Sequence, residues 1–234
     1  MRFLRVAVVS LVALSTRAED PPAKPTEADA KPKAEAVTAA LKGKDEAAKK
    51  AAILAAGDCA HALCANALAP AFGDASEDVR VEAAKALGKM KGLAEAAKVL
   101  NAAFVANPKP GKTLHAVTPA LGSVGHPSSV PVLGAYLEKR IPEKDDEENI
   151  EVADAMMSLG MIRCRASVET ILDLLKKAAA VGQMKKPHQL VTEGAALRSL
   201  SKLSVKENFQ TVAAAEGYWK PMLKKVNEDL SLKK

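Results

Sequence analysis

The sequence predicts an all-α fold, an α-α superhelix (α-solenoid) of four to five stacked helix pairs. Composition is the first observation: 48% of the 234 residues are hydrophobic, only 3% are aromatic, and about one residue in five is alanine. Alanine favours closely packed helices, whereas a sandwich or barrel needs more β-branched and aromatic residues. The second observation is a repeat of 33 to 41 residues, a period typical of solenoids.

A Leu-Gly pair, or a looser counterpart, closes a helical run in each predicted unit. These markers are Leu54-Ala55, Leu87-Gly88, Leu121-Gly122, Leu159-Gly160 and Leu200-Ser201. Apolar residues three and four positions before each leucine share its helix face, and a second apolar run follows. Each unit is therefore predicted to hold two helices. The glycine fits either a close approach of two backbones or a left-handed helix cap.

Helix start and stop signals divide the chain into units. Ser76 precedes Glu77 and Asp78 as an N-cap followed by acidic residues, and Pro- or Gly-containing breaks separate the apolar runs. The repeat domain is predicted to span 45–234, with a C-terminal capping helix near 219–230. Within it, helix pairs are expected at 45–71, 77–106, 112–140, 150–181 and 188–215.

Residues 1–18 have the pattern of a signal peptide. Arg2 and Arg5 precede an apolar run from Val6 to Leu14, and small residues lead up to a predicted cleavage after Ala18. Nine helical residues reach about 14 Å, less than half of a hydrocarbon core of about 30 Å, so no complete membrane span is expected. The mature protein is expected to be exported, periplasmic or extracellular. Arg17 leaves open a retained anchor or a shifted cleavage site.

Residues 19–44 are predicted to form a disordered linker rich in Ala, Pro and Lys. Four prolines stand among small and charged residues, so this stretch offers little apolar surface to offset its ordering entropy. A short helix from Ala34 to Leu41 is the alternative within it.

The charge balance does not indicate a nucleic-acid partner. The formal net charge is +6, but removal of three arginines with the signal segment leaves 31 basic residues against 28 acidic ones, a net charge of +3. A mixed surface of this kind lacks the dense basic face that nucleic acid or an anionic membrane requires.

The stretch from Gly73 to Gly88 resembles the short bacterial, PBS-lyase-like form of the HEAT repeat. Its acidic loop precedes a Val-Arg pair, and its helix ends in Ala-x-x-Leu-Gly; His126 to Leu133 is similar to the start of that repeat's second helix. The resemblance implies a right-handed stack of helix pairs that serves as a scaffold or interaction surface, although some members are linked to catalysis. Only one unit carries the Val-Arg pair, so the family's ladder of Asp and Arg is expected to be incomplete.

The three cysteines, Cys59, Cys64 and Cys164, form an odd set. A continuous helix would set Cys59 and Cys64 about 140° apart around its axis, so a disulfide requires a turn at Gly57-Asp58 that leaves Cys59 outside the helix. Small buried thiols are the other interpretation. His61 and Cys64 lie one helical turn apart, but a structural zinc needs four ligands.

No catalytic, cofactor-binding or metal-binding residue is predicted, and the chain is not expected to be an enzyme. His115, His126 and His188 stand alone in sequence, and no phosphate loop or nucleophile elbow occurs. Convergence of any two of His61, Cys64, His115, His126 and Cys164 in one pocket would favour an enzyme. The acidic run 143–148 is predicted to be a solvated helix cap, because it lacks the ligand pattern of a calcium loop.

Tyr218-Trp219 is the only aromatic pair in the chain. We expect Trp219 to close the exposed end of the last repeat, since a solenoid needs a terminal cap. The alternative makes Trp219 an interface anchor.

The predicted function is that of an exported, non-catalytic scaffold, monomeric alone, that binds a protein or peptide partner. Its concave surface would be lined by the second helices near 94–105, 129–140 and 166–180, with Lys98, Arg140 and Lys177 tuning partner choice. Two alternatives remain open: an enzyme or enzyme-associated subunit of the lyase type, and a structural component of the cell envelope.

Overall fold

A computed structural model describes residues 25–107, 111–141, 150–180, 187–205 and 207–233, without the side chains of 179–180 and 187–191. Within these ranges the chain is helical and holds no named strand, only an isolated bridge between Val226 and Leu232. The all-α prediction is therefore confirmed. The predicted signal peptide, the acidic run 143–148 and the His188 side chain lie outside the described residues.

The described helices form two layers. The first layer contains α2 (Glu46–Gly57), α4 (Glu77–Gly88), α6 (Lys112–Val124), α8 (Ile150–Met161) and α10 (Pro187–Ser204). The second contains α1 (Glu27–Lys42), α3 (Ala62–Leu68), α5 (Ala94–Ala106), α7 (Val130–Arg140), α9 (Arg165–Ala180) and α11 (Val212–Met222). Each first helix packs on the next first helix, and the second helices follow the same order beside them. This arrangement is an α-solenoid, as the repeat period predicts.

Four of the predicted helix pairs coincide with observed pairs, and the fifth is wrong in its bounds. Residues 187–204 form the single helix α10, which ends where Val205 adopts a left-handed φ of 70°. The second helix of this unit is α11, so the predicted closing helix at 219–230 begins too late. Residues 223–233 instead form turns, and the backbone N–H of Arg165 donates to the Glu228 carbonyl at 2.8 Å.

The prediction of a disordered linker at 19–44 is wrong for residues 27–42. Thr26 caps α1 in a capping box with Asp29, and the helix packs on α2 and α3. Ala30 and Val37 are completely buried in that contact. The stretch has too few apolar residues to fold alone, but α2 and α3 supply the apolar surface that it lacks. The alternative helix at 34–41 lies inside α1.

The glycines of the Leu-Gly markers allow first helices to approach closely. A Cβ built on Gly122 would lie 2.9 Å from the Ser158 Cα, and one on Gly160 would lie 2.7 Å from the Ser199 Cα. Gly57 and Gly88 meet alanines of the following first helix in the same way. Positive φ values occur elsewhere, so close approach rather than a left-handed cap explains these glycines.

Polar contacts also join consecutive units. Asp74 accepts a hydrogen bond from the Lys49 ammonium of α2 at 2.6 Å, while Arg80 of α4 donates to the Asp74 carbonyl at 2.7 Å and to Thr113 of α6 at 3.2 Å. Ser158 and Ser199 donate to backbone carbonyls of the preceding first helix. Lys49, Asp74 and Arg80 together thus link three successive units, and hydroxyl groups take over where the Val-Arg pair is missing.

Trp219 closes the end of the described core. Its side chain is 2% exposed, its indole N–H donates to the Leu200 carbonyl at 3.3 Å, and its ring meets Tyr218 edge to face. A single apolar core runs from Ala30 in α1 to Leu230 in the C-terminal turns. None of the helices in the described ranges has the length and apolar character to cross a membrane.

Candidate interaction groove between second helices

An open groove of about 410 Å³ lies between α7 and α9 in the second layer. Its floor is built from Val130, Gly134, Thr170 and Leu174, and Pro131 and Ala135 expose apolar atoms at its edge. Gly134 keeps the floor low because it carries no side chain; a Cβ there would lie 3.0 Å from the Thr170 methyl. The groove therefore presents a small apolar floor that an extended side chain from a partner can fill.

The rim of this groove is acidic. Glu138, Glu169 and Asp173 line it, and Lys177 is the one cation among the lining residues that the structure describes. The Lys177 ammonium contacts the Glu138 carboxylate and lies 2.9 Å from the Asp173 carboxylate. The hydrogen bonds that Lys177 donates to those two carboxylates raise the pKa of Lys177, so it stays charged at neutral pH. Two carboxylates thus share one cation, and the rim retains an excess of negative charge.

Glu169 has its own partner at the start of α9. The Arg165 guanidinium donates to its carboxylate at 2.7 Å, and this contact raises the pKa of Arg165. Counting Arg165, three carboxylates face two cations within the described part of the chain. This charge balance favours a basic partner side chain, which would gain attraction without having to displace a buried ion pair.

The structure distributes the three predicted surface residues unevenly. Lys177 lies on the groove rim, Lys98 is exposed on α5, and Arg140 is partly buried at the end of α7. Of the three, only Lys177 lines the groove. Sequence analysis placed the helices near 129–140 and 166–180 on the binding surface, but it did not single out the lining residues Gly134, Glu138, Glu169, Thr170 and Asp173. The sequence offered one signal for this charged rim: the four-residue spacing of Glu169, Asp173 and Lys177, which places all three on one face of α9.

A second groove, of about 360 Å³, lies between α1 and α3 in the same layer. Lys31, Lys42 and Glu35 supply its charges, and Ala39 and Leu63 supply apolar atoms. Its cations outnumber its carboxylate, so the two grooves differ in the sign of their charge. This groove provides a matched control for the other.

The histidine and cysteine side chains that the structure describes lie in three units. Cys59, His61 and Cys64 belong to the first unit, His115 and His126 to the third, and Cys164 to the fourth. His61 is the N-cap of α3 and accepts from the Leu63 N–H at 3.2 Å, and His126 accepts from the Ser128 N–H in the same manner. Cys164 contacts the Ser167 hydroxyl at 3.3 Å. His61 and Cys64 are brought near each other only by their position in α3. Across the residues that the structure describes, no group of three His, Cys, Asp or Glu side chains is arranged to hold a metal ion.

His115 gains partners that its sequence does not reveal. Its Nε2 lies 3.4 Å from a Glu151 carboxylate oxygen, and its Nδ1 lies 3.7 Å from an Asp154 oxygen. Glu151 is largely buried between α6 and α8. Because His115 belongs to α6 and both carboxylates belong to α8, this cluster links two first helices.

The fold defines a class, the helical repeat proteins, and a family comparison refines it. Residues 34–113 match the family described as HEAT repeats. The match supports a HEAT-repeat protein; it covers 80 of the 234 residues and begins inside α1, the helix that sequence analysis assigned to a linker. HEAT repeats commonly mediate protein interactions. No curated protein matches the chain.

Proposed function

We propose that this chain is an exported, non-catalytic scaffold that binds a protein or peptide partner through the groove between α7 and α9. The observation that carries the proposal is the combination of an apolar floor over Gly134 with an acidic rim. The partner segment places a small apolar side chain on the floor and a Lys or Arg beside Glu138 and Asp173. The pattern of residues 1–18 supports export.

The PBS-lyase-like subtype is a further part of the proposal, based on Gly73 to Gly88. The lyase-type function gains no support from the described residues, since His115 lies near the start of α6, His126 lies beyond its end, and Cys164 lies in the next unit. An envelope role predicts capture of cell-wall material instead of a single protein.

Peptide selection against the purified chain tests the proposal. Wild-type protein should enrich peptides that carry Lys or Arg next to a small apolar residue. Ala135→Arg fills the groove from an exposed position and should abolish their binding. Ala39→Arg makes the same change in the α1–α3 groove and should leave binding intact. Equal binding to wild type and Ala135→Arg would contradict the proposed groove.

Affinity capture from the exported fraction, followed by mass spectrometry, tests the biological part. A stoichiometric protein that is lost with Ala135→Arg is the expected result. Recovery with Ala135→Arg but not with Ala39→Arg would move the site to the groove between α1 and α3. Labelling the N-terminus of the native protein tests export: a soluble cytosolic chain beginning at Met1 would contradict it.

A further inference from the structure

The loop between α2 and α3 brings Cys59 and Cys64 together. Helix α2 ends at Gly57, so Cys59 lies outside it, and Cys64 lies in the first turn of α3. The Cys59 carbonyl accepts from the His61 N–H at 2.7 Å, which folds the loop back tightly. A disulfide was expected to require that Cys59 lie outside the helix, and the structure meets this condition. The two cysteines are therefore not set about 140° apart around one helix axis.

Helix α1 covers this pair. Cys59 is 1% exposed and Cys64 is completely buried, and the Cys64 thiol donates to the Ala30 carbonyl of α1 at 3.6 Å. Burial raises the pKa of the Cys64 thiol to about 12, and the neighbouring Cys59 thiol adds to the rise. Because the thiolate is the reactive form, the folded, reduced pair is protected from oxidants at neutral pH.

We propose that Cys59 and Cys64 form an intramolecular disulfide when the chain meets a disulfide oxidant before α1 has docked. Cys164 stays a thiol, because it lies in a separate unit beside Ser167. The proposal does not depend on the partner-binding function. It does predict that an exported chain, which folds among disulfide oxidants, carries this bridge.

The chemistry balances with a small disulfide such as oxidised glutathione. The Cys59 thiolate attacks one sulfur of the oxidant, which forms a mixed disulfide and releases a glutathione thiolate. The Cys64 thiolate then attacks the Cys59 sulfur and releases the second glutathione thiolate. Two protein thiols are oxidised, one glutathione disulfide is reduced to two thiols, and the two protons move to the released glutathione.

Refolding the full chain tests the proposal. Protein reduced in denaturant is diluted into buffer with either oxidised or reduced glutathione, denatured again and alkylated with iodoacetamide. Intact mass should show one alkyl group after oxidative refolding and three after reductive refolding. The tryptic peptide 51–80 holds both cysteines and should be lighter by two hydrogens than its dithiol form.

Two variants locate the bridge. Cys164→Ser should lose its single alkylated site after oxidative refolding, while Cys59→Ser should prevent the bridge and leave Cys64 as a thiol or a glutathione adduct. The bridged chain should melt a few degrees above its reduced form, because the closed loop restricts the unfolded chain.

Three alkyl groups after oxidative refolding, or glutathione adducts on both Cys59 and Cys64, would overturn the proposal. A bridge that includes Cys164 would overturn it as well. The cover provided by α1 is tested by adding oxidised glutathione to folded, reduced protein. Bridge formation at least tenfold slower than during refolding is expected; an equal rate would contradict that cover.

Discussion

The Lys177 ammonium of α9 contacts the Glu138 carboxylate of α7 and so joins the second helices of two consecutive units. Both side chains are more than half exposed, and exposed ion pairs contribute little to stability. The pair is better understood as setting the charge of the groove beside it. Asp173 shares the same cation, so each of these three groups changes the field that a partner meets.

Charge-neutralising variants at the rim should change affinity in opposite directions. Glu138→Gln removes one carboxylate and should weaken binding of a basic peptide selected against the wild-type groove several-fold. Lys177→Gln removes the competing cation and should strengthen that binding by a similar factor. Titration by fluorescence anisotropy measures both, and the differences should shrink at high salt because exposed charges are screened. Changes of equal sign, or changes that salt does not affect, would rule out this account of the rim.

The close contacts at the marker glycines predict that a single added methyl group will destabilise the fold. Gly160→Ala would place its Cβ against the Ser199 backbone, so it should destabilise the chain by about 1 to 3 kcal/mol. Gly217→Ala is the control. Gly217 lies in α11, and a Cβ built on it would meet no atom of another element within 4 Å, so the change should raise stability by up to about 1 kcal/mol. Thermal melts compare the two. A neutral Gly160→Ala would show that the first helices can separate at no cost.

Trp219 should behave as a structural cap. Trp219→Ala empties a buried site and should cost about 3 to 5 kcal/mol, lowering the melting temperature by on the order of 10 °C. Trp219→Phe keeps most of the burial and loses the hydrogen bond to Leu200, so its effect should be much smaller. An unchanged melting temperature with weakened partner binding would instead make Trp219 an interface anchor.

Asp74 should contribute to the acid sensitivity of the fold. Hydrogen bonds from the Lys49 ammonium and the Ser76 N–H lower the pKa of Asp74 below its ordinary value of 3.8. A carboxylate with a lowered folded-state pKa stabilises the protein above the unfolded value, and this contribution is lost as pH falls through the folded value. Asp74→Asn should therefore melt lower than wild type at pH 7 and lose less stability below about pH 4.

The same pH series includes a partner variant. Lys49→Gln removes the hydrogen bond between the Lys49 ammonium and the Asp74 carboxylate by changing the donor. This variant should likewise lose less stability than wild type as the pH falls below about 4. A wild-type acid slope in both variants would show that Asp74 does not titrate differently on unfolding.

The sequence was sufficient to predict the first four helix pairs because in three of them the first helix ends in a marker with a steric role. The looser marker of the first unit, Leu54-Ala55, has no such role: Leu54 is 46% exposed, and Gly57 makes the close contact instead. Leu87-Gly88, Leu121-Gly122 and Leu159-Gly160 combine a buried leucine with the contact that sets helix spacing. The fifth unit lacks that glycine, and its helix ends at Val205 without Gly or Pro. No local rule identifies such a break, so the helix bounds were misplaced there.

The first helix and the groove depend on contacts between distant residues. Val37 is the only large apolar residue that α1 buries, and its value as a core residue comes from α2 and α3. Gly134 and Thr170 are 36 positions apart, and their contact requires the register of α7 on α9. A single sequence shows the i, i+4 charges of α9, but not the glycine that faces them.

Hydrogen–deuterium exchange of the chain with and without its captured partner tests the central claim most directly. Binding through the proposed groove should slow amide exchange in 130–140 and 165–178, and leave the α1–α3 groove and the first helices unchanged. Protection confined to the first helices, or to α1 and α3, would contradict the claim that α7 and α9 form the binding surface.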